Sequence, residues 1–382
     1  MKQGMRVAII GGGVIGSLTA WMLKRRGVIP IVLERGRFGA ESSWAGAGIL
    51  CPINPWLYPD AFTKLIGASL AMYPALQADL ECIAGMSIER VQSGLLVPLF
   101  PDDQTQHRAA ALAWSVRSGW RVEELDAKVV RKIEPVLSGA VQGALHWPDV
   151  AQVRNPRLLQ AARRALAAES VEVREGVEVK GLLLRGGALR GVQLADGAEI
   201  PADAVLLAAG SWSGELATQI GFSLPVRPVK GQIILLRSTP GHVRHIVKHD
   251  RAYFVPRRDG RILVGASMEN VGFRRGNTVE VIQQLIQAML DIAPGLRDAE
   301  LERQWMGFRP GSPDGLPYLG PVPTIPGLWV ATGHYRNGVA LAPVTARIMS
   351  DWIIGQAPDM DVSAFRVERK ASASTALGYP PA

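Results

Sequence analysis

The chain has 382 residues, 48% of them hydrophobic, with a formal net charge of +8 at pH 7. That length and apolar content supply a large core and favour two domains over one. Two cysteines, Cys51 and Cys82, are too few for a disulfide framework and lack metal-ligand spacing, so no metal site and a reducing compartment are expected. The lysines and arginines are scattered as on a solvated face, which argues against nucleic acid as a partner and leaves an anionic substrate or cofactor as the use of the charge.

The first predicted unit runs from Met5 to Glu34 and reads as strand, turn, helix and strand. Met5 to Ile10 is a short apolar strand, Gly11, Gly13 and Gly16 fill the G-x-G-x-x-G positions around Val14 and Ile15, and Ile31 to Leu33 leads to Glu34 and Arg35. The first glycine permits the tight turn, the second lets backbone amides approach a pyrophosphate, and the third lets helix and strand pack closely. Glu34 falls about twenty residues on, where a carboxylate accepts hydrogen bonds from the hydroxyls of an adenosine ribose. A signal peptide or membrane anchor is the alternative, since Lys2 and Arg6 precede or open the apolar run. Four glycines at about 1 kcal/mol each, and an early stop at Lys24, Arg25 and Arg26, argue against it. The expectation is a soluble, cytoplasmic protein without an integral membrane segment.

Glu41 to Leu50 reads as a loop of small residues and hydroxyls, with Ser42 and Ser43 able to donate to phosphate and Gly46, Ala47 and Gly48 leaving room for a cofactor ring. Asn155 and Pro156 are placed as N-cap and N1 of a helix through Glu169, with Leu158, Leu159, Ala162, Ala165 and Leu166 on its apolar face. Three short strands follow, Val177 to Arg185, Leu189 to Leu194 and Ala198 to Ile200, turning at Gly186-Gly187 and Asp196-Gly197. Asp203 to Ser213 is then a buried strand ending in small residues, Gly210 among them. A helix, an antiparallel meander and a hydrophobic strand ending in Ala-Gly are what a flavin-type nucleotide domain needs beyond its first βαβ unit, whereas a nicotinamide dehydrogenase continues with alternating strands and helices. Pro225 to Met268 reads as extended strands with a hairpin at Arg258-Asp259-Gly260. Asn277 and Glu280 form the spacing of a capping box for a helix carrying Ile282, Leu285, Ile286, Met289 and Leu290 on one face.

The fold class expected is α/β, with an FAD-binding Rossmann-like domain, made of a parallel βαβ sheet and an antiparallel meander, beside a mixed-sheet α+β substrate domain. The first takes residues 1–80, 151–218 and 303–370, and the second residues 81–150 and 219–302. Residues 371–382, ASASTALGYPPA, are polar and Pro-rich and are expected to be a flexible tail.

Two segments carry the chemistry. Arg309 sits in WMGFRPG, and an arginine in so apolar a setting needs an anion: a substrate carboxylate held through the planar fork, or an internal acid such as Asp314. Gly333 to Val339 carries His334, Tyr335, Arg336 and Asn337 between glycines and runs into a helix through Ile354, whose N-terminus would stabilise negative charge on a reduced cofactor ring.

These stretches resemble the D-amino-acid oxidase superfamily of FAD-dependent amine oxidoreductases, most closely its glycine oxidase branch. Besides the glycine motif the resemblance rests on ERGRFGAESSWAGAGIL (Glu34 to Leu50), YFVPRRDGRILVGASM (Tyr253 to Met268), GFRPGSPDGLPYLGP (Gly307 to Pro321) and ATGHYRNGVALAP (Ala331 to Pro343), and spans about Met5 to Arg369. It implies non-covalent FAD, with Ala47, Gly48 and Ile49 lining the flavin, Val177 holding the adenine through its backbone, and Gly338, Val339 and Ala340 at the flavin end. It places the substrate carboxylate on Arg309 with Tyr253 beside it, Arg336 nearby and Met268 walling the pocket. Two departures are Arg251, where some glycine oxidases carry histidine, and Ile49, where relatives carry methionine; the extra cation at Arg251 would favour acidic substrates. Cys51 and Cys82 lie outside the stretch that supplies a flavin-linking thiol in sarcosine oxidases. The activity implied is oxidation of glycine, small N-substituted glycines or D-amino acids, with no catalytic side chain required beyond the flavin. The partners expected are a small amino acid, oxygen and further copies of the chain in a homo-oligomer. Rival readings are a dehydrogenase passing electrons to a quinone or protein, a tRNA-modifying flavoprotein, and a non-catalytic flavin-bearing subunit.

Overall fold

The computed structural model describes residues 4–52, 54–101 and 105–371, so the expected tail lies outside the described residues from position 372 onward. A six-stranded sheet orders its strands as Tyr318–Pro321, Leu328–Thr332, Ala204–Leu207, Arg6–Ile10, Ile29–Glu34 and Glu172–Glu175. All neighbours run parallel except the first pair. The near-continuous apolar run at Val7 to Ile10 follows from burial on both faces. Val7 and Ile9 pack toward the helices Val14–Lys24 and Gly338–Ile353, while Ala8 and Ile10 pack toward the meander.

The meander is Val179–Arg185, Ala188–Leu194 and Glu199–Pro201, and both residues of its first turn, Gly186 and Gly187, have positive φ as a tight hairpin requires. The buried strand expected over Asp203 to Ser213 is shorter, Ala204–Leu207, because Gly210–Trp212 turns as 3-10 helix and Ser213–Ile220 continues as α-helix.

An eight-stranded sheet forms the other layer, ordered Glu300–Gly311, Arg227–Arg237, Arg261–Gly265, Tyr253–Pro256, Ile246–Lys248, Leu95–Leu99, Gly143–Trp147 and Glu123–Asp126. It is antiparallel except where Ile246–Lys248 meets Leu95–Leu99. The helix Val279–Ile292 covers it with Leu285, Met289 and Ile292. The helix Asp60–Ala84 crosses position 81 and buries Leu80 and Ala84 in the core of the parallel sheet.

Both expected N-caps move by one residue. Arg154 caps Asn155–Ala168, and Asn155 is instead buried in the first turn, donating its amide to the Ser43 carbonyl at 2.8 Å. Thr278 takes the cap position of Val279–Ile292, and the Asn277 amide donates to Gln232 Oε1 and the Trp305 carbonyl (3.2 and 3.0 Å). In both cases the asparagine amide is held by a tertiary acceptor while the helix begins one residue away from the expected position.

Candidate active site

A cavity of about 480 Å³ opens where the carboxyl ends of the parallel strands face the eight-stranded sheet. This crevice is where open parallel sheets bind ligands. At its nucleotide end Gly11 has φ +114°, and a Cβ there would lie 2.4 Å from the Ala208 carbonyl oxygen. A Cβ on Gly16 would lie 2.1 Å from the Gly11 oxygen, so Gly16 serves helix packing and does not line the cavity. Gly13, Val14 and Ile15 do line it. The Val14 N–H donates to Ser43 Oγ at 3.0 Å, which leaves the Ser43 proton for a ligand. Glu34 Oε2 and Oε1 accept from the Gly12 and Gly36 N–H groups (2.9 and 2.8 Å), so the carboxylate is held at the mouth of the turn. Arg35, expected at the cofactor, lines the cavity and stacks 3.9 Å from the ring centroid of Trp212, a further lining residue that was not singled out from the sequence. Val177 lines the same end, but its N–H is committed to the Glu34 carbonyl (2.9 Å), leaving a ligand only its carbonyl.

The segment expected as a loop over Glu41 to Leu50 carries one helical turn, Ser42–Ala45, and a short strand, Ile49–Leu50, paired with Ala151–Gln152. Ser42 donates to the Phe308 carbonyl rather than toward a phosphate. Gly48 has φ +76°, and a Cβ would meet the Val153 oxygen at 2.0 Å, so the chain crosses Val153 with no room for a side chain. Ala47, Gly48 and Ile49 line the cavity, as do Gly210, His334, Tyr335, Arg336, Gly338 and Val339. Asn337 and Ala340 face away: the Asn337 amide donates to the Tyr58 hydroxyl (3.1 Å), and the Ala340 carbonyl accepts from Ser69 Oγ (2.7 Å). Burial pushes the His334 imidazole down to about 3, so it is neutral at pH 7 beside Thr345. Cys51, outside the stretch that supplies a flavin-linking thiol in sarcosine oxidases, lines the cavity, and burial pushes its thiol up to about 12. A thiol so seldom ionised is a poor nucleophile. Cys82 is exposed on the helix Asp60–Ala84.

At the substrate end, Arg309 projects from Glu300–Gly311 across the neighbouring strand Arg227–Arg237. Its Nη1 donates to the Ser267 carbonyl at 3.0 Å, and burial pulls the guanidinium below its usual value. Asp314 is not its partner: that carboxylate grips Arg369 at 2.9 and 3.0 Å. Among the described residues no acid forms an ion pair with Arg309. The Tyr253 hydroxyl sits beside Arg309, and burial raises its pKa. Arg251 and Tyr253 both line the cavity, but Arg251 is exposed and paired with Asp291 at 2.6 Å, so the extra cation carries its own counter-charge. Met268 is 44% exposed at the rim, packed against Arg336 and Tyr335. Lys248, not foreseen in the sequence, also lines the cavity and is held by Asn54 and Asp250 (2.7 and 2.9 Å).

Gly231 makes the arginine's position possible, since a Cβ there would lie 2.4 Å from Arg309 Nη1. Gly231→Ala is therefore expected to push the guanidinium aside and raise KM for amino acids by about tenfold, while the flavin content of the purified protein stays unchanged. Steady-state kinetics with an absorbance ratio checks both.

The residues present fit FAD. Helix N-terminal amides, the Ser43 hydroxyl and the Glu34 carboxylate suit the phosphates and ribose, and the small residues at Ala47 and Gly48 leave space for a flat ring.

Comparison with known proteins agrees. The DAO model, FAD dependent oxidoreductase, matches residues 6–352. The chain is 40% identical over 364 residues to a glycine oxidase of Pseudomonas putida, covering 95% of this chain and 98% of the relative. It is 36% identical over 376 residues to a bifunctional ThiO/ThiG protein of Trichormus variabilis, covering 95% of this chain and 55% of that one. The crystal structure of glycine oxidase from Geobacillus kaustophilus superimposes with a TM-score of 0.90 at 30% identity, covering 96% and 100% of the two chains. With the glycine turn, the acid at Glu34 and the buried arginine on one cavity, the chain belongs to the DAO family of FAD-dependent oxidoreductases.

Proposed function

We propose that this enzyme oxidises glycine, small N-substituted glycines or small D-amino acids, using oxygen and releasing hydrogen peroxide. The observation that carries the reading is Arg309, a buried guanidinium facing the cavity without an acidic partner among the described residues. A carboxylate received through its planar fork supplies the missing anion. The unit around the parallel sheet holds the cofactor, and the eight-stranded sheet holds the substrate. FAD bound between them would supply the two-electron acceptor for a hydride from the substrate α-carbon, with oxygen as the terminal acceptor. Arg309 fixes the carboxylate, the Tyr253 hydroxyl borders it, and the apolar walls at Ile49 and Ala266 exclude water from the amine side. An amine that enters neutral needs no side-chain base for this transfer, so positioning is the protein's main contribution. The product imine hydrolyses to an oxoacid and ammonia, or to a primary amine when nitrogen is substituted.

A role in supplying the thiazole branch of thiamin synthesis is consistent with the ThiO/ThiG relative. A cytoplasmic homo-oligomer is the setting proposed; no helix among the described residues is long and apolar enough to cross a membrane.

The test is a panel of amino acids and carboxylate-free amines with oxygen uptake and peroxide detection. Glycine-type substrates should give peroxide in proportion to oxygen consumed, with simple amines poor. Flavin reduction followed by turnover only with a quinone would replace the oxidase with a dehydrogenase, and a yellow protein inert to the whole panel would overturn the reading. Acid precipitation should leave the yellow colour in the supernatant, since the Cys51 thiol is protonated; colour in the pellet would show a covalent link.

A further inference from the structure

Arg257 follows the strand Tyr253–Pro256 and is 9% exposed, yet among the described residues it forms no ion pair with an acid. Its fork is filled by neutral acceptors: Nη2 donates to the Ala47 carbonyl at 2.7 Å, and Nη1 to Gln152 Oε1 and the Val153 carbonyl at 2.6 and 3.0 Å. The nearby acids Glu89 and Asp259 are engaged by Arg154 instead. A buried cation without an anion is costly, so its retention calls for a use that three fixed donors serve and a hydrophobic side chain does not.

The acceptors identify that use. Ala47 begins the loop that lines the cavity, Gly48 receives the Val153 N–H at 2.9 Å, and Ile49 pairs with Gln152. Arg257 thus fastens the loop and the strand stitched to it at one point. Its own base is rigid, because its N–H donates to the Arg261 carbonyl (2.7 Å) and its carbonyl accepts from Gly260 (3.1 Å) across the hairpin. The other end of the same strand carries Tyr253 beside Arg309. Four residues of extended chain span about 13 Å, so one strand reaches from the carboxylate site to the cofactor loop.

We propose that Arg257 is a positioning residue that sets the register between the strand Tyr253–Pro256, whose Tyr253 lies beside Arg309, and the loop Ala47–Ile49 that faces the flavin. The inference rests on the amino-acid oxidase reading above. Hydride transfer depends on the gap between the α-carbon and its acceptor, and a displacement on the order of 1 Å is enough to slow such a step about a hundredfold. The structural alternative is that Arg257 only satisfies buried carbonyls.

Arg257→Met, Arg257→Lys and Gln152→Ala separate the two. Three quantities are measured on each and on the wild type: FAD affinity of the apoprotein by fluorescence quenching, acetate affinity from the flavin spectrum, and the rate of flavin reduction at saturating glycine without oxygen. Arg257→Met should slow reduction about tenfold to a hundredfold and weaken FAD about tenfold, with acetate affinity within about twofold because Arg309 and Tyr253 are untouched. Arg257→Lys should recover part of both losses, since one ammonium replaces the fork, and Gln152→Ala should fall between. If Arg257→Met does not fold, the other two variants decide. A lower melting temperature with unchanged FAD affinity and reduction rate overturns the proposal, as does acetate affinity falling in step with the rate. Failure of glycine to reduce the wild-type flavin would sink the substrate assignment, while the FAD measurement still decides whether Arg257 holds the loop.

Discussion

Arg309→Ala is expected to leave the flavin spectrum intact and to weaken transition-state stabilisation on amino acids by about 3–5 kcal/mol, because a substrate carboxylate would be left buried and unpaired. The flavin should stay, since Arg309 donates to the Ser267 and Lys230 carbonyls, lies beside the Tyr253 hydroxyl and sits on the sheet opposite the nucleotide turn. Both of those acceptors are backbone, so the guanidinium's charge has no counterpart among the described residues until an anion arrives. Arg309→Lys should recover only part of the loss, because a point charge does not reproduce a two-pronged contact and the Gly231 gap is shaped for the planar fork. Carboxylate-free amines, poor substrates from the start, should be far less affected. The measurement is kcat/KM for glycine and for a simple amine in each variant; equal losses on both would mean that Arg309 holds the fold or the flavin.

Glu34→Ala should purify largely as apoprotein. The carboxylate accepts the Gly12 and Gly36 amides, which shapes the glycine turn, and its remaining lone pairs are the ones proposed to meet the ribose. Loss of each charge-assisted bond costs about 1.5–3 kcal/mol, toward the lower figure here because the side chain is partly solvated. Two such bonds together correspond to FAD affinity weakened by about a hundredfold or more. Glu34→Gln keeps one acceptor for the turn and should retain more flavin than the alanine variant. The ratio of protein to flavin absorbance after purification checks the order. Full occupancy in Glu34→Ala would assign the acid to the turn alone.

The nucleotide end was legible in the sequence because its chemistry is local. Gly11 to Gly16 and the following helix and strand lie within one βαβ unit, where Gly16 clears the Gly11 oxygen and Gly11 clears the Ala208 oxygen just past the adjoining strand Ala204–Leu207. The periodicity of Asn155 to Ala168 and of Val279 to Ile292 announced both helices for the same reason: an apolar face repeats along one element whatever it packs against. Helix starts were less legible. Asn155 and Asn277 are good caps in isolation, and only the folded chain places the Ser43 carbonyl, Gln232 and the Trp305 carbonyl within their reach.

The substrate end is set by residues far apart in the chain. Nothing near Arg309 in sequence says that Asp314 is taken by Arg369, that Gly231 clears the space beneath the guanidinium, or that Arg251 is neutralised by Asp291. Arg257 had no sequence signal at all, since its acceptors lie more than a hundred positions away. The sequence by itself therefore determined the nucleotide-binding unit and the α/β architecture, which rest on contiguous backbone motifs and apolar periodicity, and the family, which rests on the resemblance of four contiguous stretches. Tertiary structure alone decided which cations keep their charge for a ligand, because burial and counter-ion pairing are properties of neighbours in space, brought together only when the two sheets close on the cavity.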